Sequence, residues 1–169
     1  MQKLVNCLSL CLLLALIVSC GGNLNTIEVE TPELDMVAEG PLFEGSNTAT
    51  ATWEFDLSSL LGDQGNKVSK AKVTAIEIRL VPEEDLPSLE KMVFEVTSQS
   101  TSMTRVGLYN SELDSDEVME LSVAGKQENL ASAFQDGRMT FVGDFDLLEE
   151  EYWDNVAFKI KVKFELGIK

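Results

Sequence analysis

The chain has no histidine among its 169 residues. That absence removes Ser-His-Asp and Cys-His catalysis, His-ligated zinc and the commonest general base. Its three cysteines, Cys7, Cys11 and Cys20, all fall within residues 1–20. Whatever folds after them has no internal disulfide and must be held by burial and hydrogen bonds. Positive charge is scarce: 13 Lys and Arg stand against 29 Asp and Glu, a formal net charge of −16. A nucleic-acid partner is excluded on that balance, because phosphates need neutralising cations. Anionic lipid surfaces are disfavoured too, whereas solubility and divalent cations are favoured. There is no G-x-S-x-G, no P-loop, no dinucleotide fingerprint and no internal repeat.

What is present begins at the amino end. Lys3 gives a short positive segment, and Leu4 to Val18 is a mainly apolar run interrupted by Asn6 and Ser9. The run fits the apolar region of a secretion signal and is short for a bilayer span, which needs about 20 residues. Ile17-Val18-Ser19-Cys20 then resembles the bacterial lipobox, with Ile17 where Leu is commoner. The resemblance covers residues 1–20. It implies a lipoprotein: diacylglycerol on the Cys20 sulfur, cleavage before Cys20, acylation of the new amine, and a membrane partner reached through that lipid. Two acyl chains suffice for stable anchoring. Gly21 in place of Asp implies, by resemblance to the Gram-negative sorting rule, the outer membrane of the cell envelope. An uncleaved anchor helix and an ordinary signal with a chance cysteine are the alternatives.

On this reading residues 1–19 are the signal peptide and leave with Cys7, Cys11 and Lys3. The mature chain then carries 12 basic against 29 acidic residues, a formal charge of −17. Residues 20–47, with Gly21, Gly22, Pro32, Gly40, Pro41 and Gly45, read as the lipidated cysteine and a flexible tether, in which Ile27 to Glu30 could add a short strand. Residues 48–169 read as one domain.

Within that domain, Ala49, Ala51, Trp53, Phe55 and Leu57 alternate with polar residues, the period of a half-buried strand. Asp56 is placed to cap a helical turn bearing Leu57, Leu60 and Leu61, and Gly62 to end it. Lys70 to Val81 is a second strand. Its apolar phase shifts from Ala71, Val73 and Ala75 to Ile76, Ile78 and Leu80, which predicts a bulge near Ala75-Ile76. Strands follow at 91–98, 103–109, 117–124 and 138–146, with one short helix over 128–135 and an acidic turn over 149–154. The last strand is the clearest: Phe158, Ile160, Val162, Phe164, Leu166 and Ile168 alternate with Lys159, Lys161, Lys163 and Glu165. The whole is an all-β chain, expected as an antiparallel β-sandwich of about seven strands with one short helix. Its layout of signal, lipobox, Gly/Asn spacer and short alternating strands looks like that of small β-sandwich lipoproteins of Bacteroides-like bacteria. No residue motif carries that second resemblance, and no activity comes with it.

Each candidate constellation has a structural alternative. The lysine row either protects a sheet edge and pairs with carboxylates such as Glu54 and Asp56, or docks an anionic partner. Asp114, Asp116 and Glu117 are weak calcium candidates, because the Gly and the bidentate Glu of an EF-hand loop are missing. Tyr152 and Trp153 could stack on a sugar or plug one end of the fold. Ser69-x-x-Lys72 and Ser88-x-x-Lys91 match S-x-x-K without the companion S-D-N and K-T-G motifs. The function expected is therefore a non-catalytic, membrane-anchored domain that binds a protein or glycan partner at the envelope or serves structural assembly, with the covalent lipid on Cys20 as its only cofactor-like group. The alternatives are a carboxylate-pair hydrolase of envelope polysaccharide and a calcium-dependent adhesion domain.

Overall fold

The structure is a computed structural model and describes residues 25–83 and 85–169. Cys20 and the apolar run before it lie outside the described residues. In chain order the elements are β1 (Asn25–Glu30), β2 (Leu34–Ala38), β3 (Leu42–Glu54), α1 (Leu57–Leu61), a 3-10 turn (Gly62–Lys67), β4 (Val68–Leu80), β5 (Leu89–Thr97), β6 (Thr104–Glu112), β7 (Met119–Glu120), β8 (Ser122–Val123), α2 (Ala131–Gln135), β9 (Arg138–Tyr152) and β10 (Val156–Ile168).

The all-β class holds, but among the described residues ten antiparallel strands form one sheet where about seven were expected, and two short helices occur where one was expected. The strand order is β7-β4-β10-β2-β3-β9-β5-β6-β8, with β1 also on β10. β7 and β8 are successive pieces of one segment, so the two ends of that order meet. Leu121 donates its N–H to Ile76 and Ala124 donates to Val106, which ties β4 to β6 through this strap. The sheet thus curls into a nearly closed barrel. A Cβ on Gly107 of β6 would come within 2.5 Å of Ile76 Cδ1, so β6 packs closely on β4 here and a side chain at 107 would make Ile76 shift.

β10 carries the core. Its residues Phe158, Ile160, Val162, Phe164 and Leu166 are fully buried, as the alternation predicts. Phe164 meets Phe134 edge-on at 5.1 Å and stacks on Trp53 at 6.2 Å, while Phe145 and Phe158 pack at 5.3 Å. β10 is bonded on both sides, to β4 and to β1 and β2, so its lysines guard no edge. Lys159 pairs with Asp35 and Lys163 with Glu77, not with Glu54 or Asp56. Glu54 instead faces Arg138.

The tether expected over residues 20–47 gives way to sheet from Asn25 onward. β1 and β2 lie end to end along β10. Thr31 spans the break between them: its N–H donates to the Val162 carbonyl at 3.0 Å, and its hydroxyl accepts from the Val162 N–H at 3.1 Å. Pro32, Gly40, Pro41 and Gly45 made this stretch read as a spacer. They sit between strands or at the β3 bulge, and the strands between them are too short to show their period.

Several local expectations hold. Asp56 caps α1 by accepting from the Ser58 N–H, and Gly62 ends it at φ 57°. The β4 bulge falls at Thr74, which is skipped between the pairs Lys163–Ala75 and Phe164–Val73, next to the predicted place. The helix expected over 128–135 forms only from Ala131, and the acidic turn expected over 149–154 is the end of β9 up to Tyr152.

The residues just before α2 have a different task. Gln127 and Asn129 lay their side-chain amides along the outer edge of β4 and substitute for a neighbouring strand. Gln127 Oε1 accepts from Val73 N–H at 2.8 Å and its Nε2 donates to Val73 O at 2.8 Å. Asn129 Oδ1 accepts from Ala71 N–H at 2.9 Å and its Nδ2 donates to Ser69 O at 2.9 Å. An uncovered edge would invite pairing with another chain. Replacing both Gln127 and Asn129 by Ala should therefore cost about 1–3 kcal/mol per orphaned backbone group in denaturant unfolding, and should raise aggregation. An unchanged unfolding midpoint would show that the clip does not matter.

Candidate functional site

Strand directions divide the barrel into two ends. Asn25 pairs with Ile168 and Ile168 with Val68, so the start of β1, the end of β10 and the 3-10 turn share a base. Lys67, Lys70 and Lys169 lie there, and the Lys169 N–H donates to the Lys67 carbonyl. At the opposite end, the rim, Leu42 pairs with Tyr152 and Phe158 with Leu80.

The rim carries an arm built from the start of β3 and the end of β9. Leu42 points inward and is buried, so Phe43 points outward and is 56% exposed. Phe43 pairs with Glu151 near the end of β9, and Trp153 follows two residues later, one past the last strand residue Tyr152. Trp153 is 68% exposed and Leu148 51%. Leu147 and Leu148 are adjacent in a period-two strand, so burial of Leu147 leaves Leu148 outside.

The arm is pinned at both strands. Asn47 accepts from the Phe43 N–H at 3.3 Å and donates to the carbonyls of Phe43 and Gly45 at 2.8 and 2.9 Å. The Gly40 N–H donates to Asn155 Oδ1 at 3.0 Å. A Cβ on Gly40 would fall 2.5 Å from the Trp153 carbonyl oxygen, so only glycine lets the chain lie this close. Segments 39–47 and 147–155 contain no Lys or Arg, and contribute Glu39, Glu44, Glu149, Glu150, Glu151 and Asp154.

Tyr152 and Trp153 therefore part company. Tyr152 is half-buried against the core, and burial first, then Glu83, Asp154 and Asp85, pushes its phenol above the usual value. Trp153 is exposed, and so is Phe43 on the other segment of the arm, which sequence reasoning passed over inside the supposed tether. The adjacent Leu147-Leu148 was the available signal for Leu148.

The other candidates do not converge. The Asp114 carboxylate accepts from the Asp116 N–H at 2.8 Å, closing a local turn. Among the described residues no three His, Cys, Asp or Glu side chains are grouped to hold an ion. In the two S-x-x-K segments, Lys72 is held by Glu165 and Lys91 by Glu90 and Asp146, while the Ser69 hydroxyl donates to the Gly167 carbonyl.

Two clefts lie toward the base. One, of about 450 Å³, is lined by Lys70, Lys72, Gln127, Glu128, Asn129 and Glu165, and two of its polar side chains are the edge clip. The other, of about 430 Å³, contains Asp136, Arg138 and Ser98. Asp136 is already occupied there. It accepts from the Ser98 hydroxyl at 2.7 Å and from the Ser100 N–H and hydroxyl at 2.7 and 2.8 Å, tying the β5–β6 turn to the start of β9. The Ser98 hydroxyl first, then the Ser100 N–H, hold its carboxyl below the usual carboxylate range. Asp56 is lowered likewise by the Ser59 and Ser58 hydroxyls. A glycosidase acid needs the opposite shift.

No protein-family model matches the chain, and the search of curated proteins gives no match. Solved structures similar to it include turnip yellow mosaic virus, at 10% identity over 89% of this chain and 85% of that one, with a TM-score of 0.32. Desmodium yellow mottle tymovirus is similar at 10% identity over 88% of this chain and 90% of that one, TM-score 0.29. Cocksfoot mottle virus gives 13% identity over 85% and 96%, TM-score 0.26. Scores this low carry no argument about this chain.

The Asp136 bonds make a testable demand. Its pKa is depressed by folding, so its contribution to stability is full above the unfolded value of 3.8 and is lost as pH falls through the lower folded value. Asp136→Asn should lower the melting temperature at neutral pH, and the deficit should shrink as pH drops below about 4. A deficit that stays constant down to the acid limit would contradict the assignment.

Proposed function

We propose that the protein is a lipid-anchored lipoprotein of the cell envelope, held at the outer membrane through Cys20, whose β domain binds a partner rather than catalysing a reaction. The observation that carries this reading is the run from Lys3 to Cys20 with its lipobox-like end. The position of Asn25 at the base supports a definite orientation. Four residues lie between Cys20 and Asn25, and the five steps that join them reach at most about 18 Å. The base would then lie against the bilayer, and the rim with Phe43 and Trp153 would be presented away from it. The exposed, pinned rim suits binding, and Asp136, with its bonds already made, is spent on structure.

Radiolabelled palmitate fed to cells should label the wild-type protein and leave Cys20→Ala unlabelled, with the variant accumulating as a larger precursor. Equal labelling of both, or of neither, would remove the lipoprotein reading.

A further inference from the structure

We propose that the outer face of the β3–β9 arm is a docking surface for a cationic protein segment that carries apolar side chains. This rests on the reading of the domain as a binding module and not on the lipid anchor.

Three large apolar side chains, Phe43, Leu148 and Trp153, are exposed on one arm of the rim. Scattered single apolar residues are ordinary on protein surfaces, but a group of them rimmed by polar residues marks an interaction site. The two aromatics are not on a loose loop. Asn47, Asn155 and the close approach at Gly40 fix the backbone that bears them. Rigid presentation lowers the entropic cost of binding.

Charge selects the occupant. Glu39, Glu44, Glu149, Glu150, Glu151 and Asp154 lie in the same two segments as the exposed apolar residues, with no basic residue in either. A second copy of this chain, with net charge −16, would bring like charge onto like. Anionic glycans and anionic lipid headgroups meet the same repulsion. A neutral sugar needs a concave site with converging polar groups, and neither Phe43 nor Trp153 lines the clefts described above. A basic segment with apolar anchors matches both features: its anchors pack on Phe43 and Trp153 while its cations answer the carboxylates of these segments.

The test uses the full chain in a neutral detergent and three labelled probes, read by fluorescence anisotropy. They are an amphipathic Lys/Leu peptide, polylysine of equal length and charge, and a neutral glucan oligosaccharide. The Lys/Leu peptide should bind, and added salt should weaken it. Phe43→Ala with Trp153→Ala should weaken it by about tenfold or more, with the charge and the melting temperature unchanged. Leu60→Ala with Met103→Ala, which removes exposed apolar side chains near the base, should leave binding intact. No peptide binding overturns the proposal, as does equal binding by the Phe43/Trp153 variant. Polylysine binding as tightly as the mixed peptide reduces the rim to a charge effect and also overturns it. Glucan binding lost in Trp153→Ala would make a sugar the occupant instead. None of these outcomes depends on palmitate labelling, so a failure here is separable from a failure of the anchor.

Discussion

Along β10, one edge hydrogen-bonds to β4 and the other to β1 and β2, while the apolar side chains from Phe158 to Ile168 fill the interior. A slip of one residue would turn that apolar row to solvent and drive Lys159, Lys161 and Lys163 inward. Burying three ammonium groups, two of them taken from the carboxylates of Asp35 and Glu77, would cost far more than the pairing returns. The register of β10 is therefore strongly specified, and it sets where its neighbours begin and end. Because β1 runs antiparallel to it from Ile168 to Lys163, Asn25 is committed to the base. The chain's entry point, the base and the rim all follow from that one pairing.

Closure is the second constraint. An open sheet of this composition would leave β4 with a bare edge. The strap Met119–Val123 bonds across the gap, and Gln127 and Asn129 cover the rest of that edge with side-chain amides. A free edge would be a site for pairing between copies. The pinned arm at the rim bears Phe43, Leu148 and Trp153, three of the large apolar side chains exposed among the described residues.

How much of this could be read beforehand differed by element. Long strands with a buried face announced themselves: β10, the Trp53 end of β3, and the phase shift of β4 that marks the bulge at Thr74. Asp56 and Gly62 gave α1 its limits by capping chemistry alone. β1 and β2 were hidden because strands of five or six residues separated by Pro32 and Gly40 look like spacer. The Gln127–Asn129 clip was invisible because side-chain amides standing in for a strand leave no periodicity. Of the candidate site, Trp153 was legible as an aromatic among acids. Phe43 was not, since its pairing with Glu151 joins residues far apart in the sequence.

Beginning the sheet at Asn25 shortens the link to Cys20 from a flexible tether to a few residues. A lipid anchor would then hold one defined end of a rigid barrel against the bilayer. The direct measurement is energy transfer in proteoliposomes from a dye on Asp63→Cys, at the base, or on Trp153→Cys, at the rim, to a headgroup-labelled lipid. On the proposed lipoprotein reading Cys7 and Cys11 would be removed and Cys20 acylated, so the introduced thiol would be the reactive one. Strong transfer from position 63 and weak transfer from position 153 is the predicted result. Equal transfer from both positions, or stronger transfer from 153, would contradict an orientation set by the pairing of β1 with β10.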